Sequence, residues 1–266
     1  MLRPRRLGFA QEATTVEHLE ELRSRLLVAG GAILVGTIAA YAVHRQILGI
    51  LVDALPPQHR KLVTLTVTEP FTTSIKLSVA AGFALASPVV LWQLWAYLAP
   101  AVDPRSRRAL LPLAVTATLL LAVGVLFGDR VALPAALHFL TGYDGSVYDV
   151  QIRAGAYISF AVLVLAACGA VFELPIVVLG LVRVGALSSA KLRRNRRLGY
   201  FIVVCIGVAL PGVDPVTTTI ETIPLLVLFE ASIWASVVCE RRWRSVGERG
   251  AGVGVVDGFR LPLEPR

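Results

Sequence analysis

Ala154 to Val182 reads AGAYISFAVLVLAACGAVFELPIVVLGLV, an apolar run broken by a single charge, Glu173. A helix that crosses a bilayer needs about 20 apolar residues, with about 17–25 tolerated. This run is long enough to span with some tilt, and its continuous pattern reads as a helix rather than the alternating strand of a barrel. The pattern recurs on both sides. Leu26–Val43 and Leu77–Val102 carry no charge, and Ala109–Gly128 meets Asp129 and Arg130 before a shorter apolar tail, Val131–Leu140. Further on lie Leu198–Leu210, stopped by Pro211, and Thr222–Cys239, which encloses Glu230. The expected fold is an all-α integral membrane protein of six transmembrane helices. Its spans fall near 26–43, 71–98, 109–128, 156–182, 198–211 and 220–239, in one domain over 1–240, followed by a basic, mobile tail over 241–266.

Composition excludes the main alternatives. The chain has 266 residues, 56% hydrophobic and 17% charged, with a mean hydropathy of +0.71. A soluble domain has about 45–50% apolar and about 25% charged residues. Cys168, Cys205 and Cys239 each sit in an apolar run and read as small core hydrophobes, not as a disulfide framework. A net charge of +8 would suggest nucleic acid in a soluble protein, so the position of the bases decides. With the N-terminus inside, the cytoplasmic segments hold Arg3, Arg5, Arg6, Arg23 and Arg25, then Arg105, Arg107 and Arg108. They also hold the cluster from Arg183 to Arg197 and the C-terminal arginines from Arg241 to Arg266. Only Arg45, Arg60, Lys61, Lys76, Arg130 and Arg153 fall outside. That asymmetry places both termini in the cytoplasm and accounts for the basic charge without nucleic acid.

Several residues depart from a plain apolar bundle. Thr14 with Glu17 has the spacing of a capping box, which starts a helix before the first span. Val16, Leu19, Leu22 and Leu26 form its apolar stripe, while Glu17, His18, Glu20, Glu21, Arg23 and Arg25 form the other face. That face reads either as a solvated one with an i,i+4 pair, Glu21–Arg25, or as carboxylates for a cationic peptide, since guanidinium pairs with them through two bonds. Glu173 and Glu230 lie inside spans, where an ionised carboxylate facing lipid costs about 2.5 kcal/mol or more. They read as functional groups or as hydrogen bonds between spans. The fifth span, thirteen residues, reaches only about 20 Å of a core about 30 Å thick. The chain shows no nucleophile motif, phosphate loop or metal-ligand spacing, so neither an enzyme nor a cofactor is expected.

Four stretches together resemble the TatC family, the multi-spanning core of the twin-arginine protein translocase. They are His18-Leu-Glu-Glu-Leu-Arg-Ser-Arg25; Ile75-Lys-Leu-Ser78 leading to Ala86-Ser-Pro and on to Tyr97-Leu-Ala-Pro100; Phe172-Glu-Leu-Pro175; and Asp214 through Ile223-Pro224 to Leu228-Phe-Glu230. The resemblance implies a glove-like fold with short fifth and sixth helices in a prokaryotic cell membrane. It also implies a function: binding the twin-arginine signal peptides of folded precursors, and their export driven by the proton-motive force. The implied partners are TatA-type single-span subunits, with a TatB-type subunit left open, and further copies of the chain.

Carried over by position, the signal-peptide site falls on Glu21 with Arg23, and on the loop after Pro100. There the family acid falls on Ser106, a departure for which Asp103 is the substitute, while Arg107 and Arg108 match the family's basic pair. The membrane acid falls on Glu173, the outer-loop acid on Asp214, and the polar step of partner docking on Thr218 and Thr219, with Glu230 further along. Two other classes stay open on the residues alone: a proton-coupled solute transporter using Glu173 and Glu230, and a membrane scaffold without cargo.

Overall fold

The computed structural model describes residues 15–98, 110–144, 150–183, 187–209 and 215–251. The elements are α1 (Thr15–Ala42), α2 (His44–Asp53), α3 (Glu69–Leu98), α4 (Leu110–Phe127), α5 (Leu133–Gly142), α6 (Ala154–Phe172), α7 (Leu174–Arg183), α8 (Ser189–Arg194), α9 (Arg196–Ala209) and α10 (Pro215–Ala251). Among the described residues, five stretches are long and apolar enough to cross a membrane: Leu19–Ala42, Glu69–Tyr97, Leu111–Gly142, Ala154–Val182 and Pro215–Glu240. Helix α9, at 14 residues, is too short to span unaided, as its sequence implied.

Two spans differ from the sequence reading. The third continues past Gly128, because Gly128–Ala132 forms a single π turn joining α4 to α5 instead of a break. Asp129 and Arg130, the charges that seemed to end the run, pair with each other there (Nε–Oδ2 3.0 Å). The last helix is not short. It opens at Pro215, where a proline costs no hydrogen bond, and runs 37 residues through Ala251, past the expected boundary at 240.

The packing uses small residues where helices cross. Helices α1 and α3 run together so closely that a Cβ on Gly36 would lie 2.5 Å from the Gly82 carbonyl oxygen. Pro88 inside α3 leaves the Ala84 carbonyl without its i+4 donor, and the Ser87 hydroxyl supplies one at 2.7 Å. Two apolar cores lie at different heights. Leu51, Leu55, Leu77, Leu133, Leu137, Tyr157 and Ile158 close the end where α2 folds back. Val171, Phe172, Val203, Leu225, Phe229 and Ile233 join α6, α9 and α10. Leu34, Val35, Ile38, Phe83, Leu85, Leu119, Val123 and Leu163 are all exposed, a belt that hydrocarbon tolerates and water does not.

Candidate functional site

The first group of polar residues sits where α1 enters the bundle. Glu21 and Arg25 are one helical turn apart, so their side chains share a face. Arg25 donates from Nε to Glu21 Oε1 at 3.0 Å and from Nη2 to the same oxygen at 2.5 Å. Its Nη1 donates to Gln93 Oε1 of α3 at 3.2 Å, tying the two helices near one end. Glu20 and Arg23 point into open surroundings. The structure therefore brings Glu21 together with a guanidinium and with Gln93, a residue the sequence reading left unassigned. Asp103, Ser106, Arg107 and Arg108 lie outside the described residues, as does Asp214.

The second group lies along α6, α7 and α10. Glu173 interrupts the fourth span between α6 and α7, and Pro175 forces the break, because it has no N–H for the carbonyl one turn back. The Glu173 carbonyl still accepts from the Ile176 and Val177 amides, both at 3.0 Å, so the chain continues helically with its side chain at the joint. Glu173 Oε1 is buried and finds no donor among the described residues. At about 1.5 Å per residue, the nine residues to Val182 place it about 14 Å from that end of the span. A buried carboxylate oxygen at that depth needs a proton, water or a partner's donor.

Glu230 has a different environment. Its Oε1 pairs with Arg196 Nη1 at 3.1 Å, and the Arg196 guanidinium stacks 5.8 Å over Trp234. This cluster holds the start of α9 against α10. A second clasp comes from Glu240, whose Oε2 accepts from the Ser189 amide at 3.2 Å. Thr219 is exposed and donates to the Pro215 carbonyl at 2.7 Å, while the Thr218 carbonyl accepts from the Thr222 hydroxyl at 2.6 Å. Both hydroxyl bonds keep the polar step within the first turns of α10.

Two acids escaped the sequence reading. Glu69, 4% exposed, accepts from Arg153 Nε and from the Leu65 and Gly155 amides at 2.8–2.9 Å, fastening α3 to the start of α6. Glu221, 3% exposed, faces Cys168 of α6 within electrostatic reach. A signal for Glu221 was present: Thr217, Glu221, Leu225, Phe229 and Ile233 recur every fourth residue and are all buried, so the acid falls on the packing stripe. Glu69 gave only the Thr66-to-Glu69 spacing of a capping box, in a segment with no periodicity around it.

These features define a multi-pass α-helical membrane protein with a carboxylate site at the mouth of its first helix and a second acid deep in the bundle. Comparison narrows the class. The model of the family Sec-independent protein translocase protein (TatC) matches residues 17–224. The chain is 36% identical over 222 residues to the Sec-independent protein translocase protein TatC of Carboxydothermus hydrogenoformans, covering 83% of this chain and 91% of that one. It is 32% identical to the protein of the same name in Escherichia coli, covering 83% and 87%. A crystal structure of a twin-arginine translocase receptor, TatC, in DDM superposes with a TM-score of 0.73 at 35% identity, covering 83% of this chain and 99% of that one. The chain belongs to the TatC family.

Proposed function

We propose that this chain is the multi-spanning subunit of a twin-arginine translocase and that Glu21 receives the arginine pair of the signal peptide. The observation that carries the reading is the Glu21 carboxylate: it stands at the mouth of α1, only partly exposed, and already holds a guanidinium through two hydrogen bonds. Charge-assisted bonds of this kind contribute about 1.5–3 kcal/mol where they are shielded from water. Both termini lie in the cytoplasm of a prokaryotic cell, in keeping with the distribution of arginines, so the site faces the side from which folded precursors arrive. Asp103 and the basic pair Arg107–Arg108 complete the site from the loop between the second and third spans. Glu173, with Thr218 and Thr219, receives a TatA-type single helix, and export is driven by the proton-motive force. Further copies of the chain join the receptor complex.

The solute-transporter reading is weakened, because Glu230 is committed to Arg196. Photo-crosslinkers at positions 24, 103 and 106 test the site in membranes. A twin-arginine precursor is expected to crosslink near its arginine pair from all three positions. Crosslinks to that segment from none of them would place the arginine pair elsewhere.

A further inference from the structure

The carboxylate assigned to the incoming arginine is already occupied. Arg25 sets two nitrogens on Oε1 of Glu21, leaving Oε2 outside those bonds, and keeps its third nitrogen on Gln93. Glu21 and Arg25 are about equally shielded, with side-chain exposures of 24% and 23%. A fully solvated pair would exchange freely with any cation. A half-buried pair with a second acceptor on another helix is held in one geometry.

We infer that Arg25 is a built-in occupant of the guanidinium site, a competitor that any incoming cation must displace, and that Gln93 holds it when a peptide displaces it. The inference rests on Glu21 being the receiving carboxylate. The exchange balances for an arginine ligand: one planar fork leaves Glu21 and another replaces it. Charge and hydrogen bonds on the carboxylate are restored, while Arg25 keeps its bond to Gln93 Oε1. It does not balance for lysine. An ammonium is a compact, strongly hydrated point charge that cannot supply two parallel bonds from a rigid plane. Displacing Arg25 therefore costs both ligands the same two bonds, and only the guanidinium recovers them. Without Arg25, that shared cost disappears, and both ligands bind more tightly by a similar factor while the preference of the carboxylate for a guanidinium remains. Gln93 contributes on α3, sixty-eight positions away in sequence, because the close crossing of α1 and α3 brings the two helices to one edge.

The experiment measures binding of a fluorescent twin-arginine signal peptide and its twin-lysine counterpart to the full chain in lipid nanodiscs. Arg25→Gln should raise the affinity for both peptides by a similar factor, about two- to fivefold, the scale of a partly exposed ion pair, so the ratio between them stays as in wild type. Gln93→Leu, which removes the second seat of Arg25, should lower the twin-arginine affinity several-fold with Glu21 intact. Arg25→Lys, which keeps the charge without the fork, should fall between wild type and Arg25→Gln. If Arg25→Gln weakens both peptides equally, Arg25 merely positions Glu21 and the inference is overturned. If instead Glu21→Gln leaves the twin-arginine affinity unchanged, the receiving site itself is misassigned. These two failures are separate readouts of the same titration.

Discussion

Replacing Gly82 by alanine tests the close crossing on which the α1–α3 edge depends. A Cβ there would stand 2.5 Å from Thr37 Cα and 2.6 Å from Thr37 Oγ1, where ordinary contact begins at 3.4 Å. The nearest atoms are mostly backbone, so no side-chain rotation relieves the clash. The two helices must separate by about 1 Å, and overpacking of that order costs about 1–3 kcal/mol. At about 2–4 °C per kcal/mol for a chain of this size, thermal unfolding in detergent should begin about 2–12 °C lower. The control lies in the partner helix, α1: a Cβ on Gly30 meets nothing within 4 Å. Gly30→Ala should be neutral or stabilise by about 0.5–1 kcal/mol through helix propensity alone. The opposite signs separate crowding from a general intolerance of alanine in α1 and α3. A Gly82→Ala chain that unfolds within a degree of wild type would refute the tight crossing, and so would equal losses in both variants.

Other expectations follow from the two acids inside the spans. Glu173→Ala should leave precursor binding nearly intact but reduce export of a folded reporter, while Glu173→Gln, which keeps a hydrogen-bonding group, should retain more activity. Near-complete loss in both would instead indicate an essential titrating carboxylate. Arg196→Leu or Glu230→Leu alone strands a buried polar atom of its partner and should cost about 1–3 kcal/mol in thermal unfolding. The double variant should recover much of that loss, and additive losses would show that the pair is not coupled.

The helical spans were legible because lipid demands long uninterrupted apolar runs, and the short α9 was visible as the one run too brief to cross. Helix ends were harder where charge and structure disagree. Asp129–Arg130 looked like a terminus because a charge pair is costly in hydrocarbon, but mutual pairing and a π turn carry the helix through. The last helix outran its apolar segment because residues 240–251 contain no proline, and Gly247 and Gly250 weaken the helix without ending it. Among the candidate site residues, Glu21 and Glu173 could be singled out in advance, since each is an acid in an unexpected setting. Their partners could not. Gln93 meets Arg25 only through the α1–α3 crossing, and the pairing of Glu230 with Arg196 depends on how α9 lies against α10. Glu69 was hidden for the same reason: two of its three donors, on Arg153 and Gly155, come from one distant segment.

The most direct test of the proposed receptor role is the affinity of the full chain in nanodiscs for a folded twin-arginine precursor, measured for wild type and Glu21→Ala. The loss of one shielded charge-assisted pairing should weaken binding about tenfold or more, with membrane insertion and thermal unfolding unchanged. An unaltered affinity in a correctly inserted Glu21→Ala chain would contradict the assignment of Glu21 as the group that receives the arginine pair.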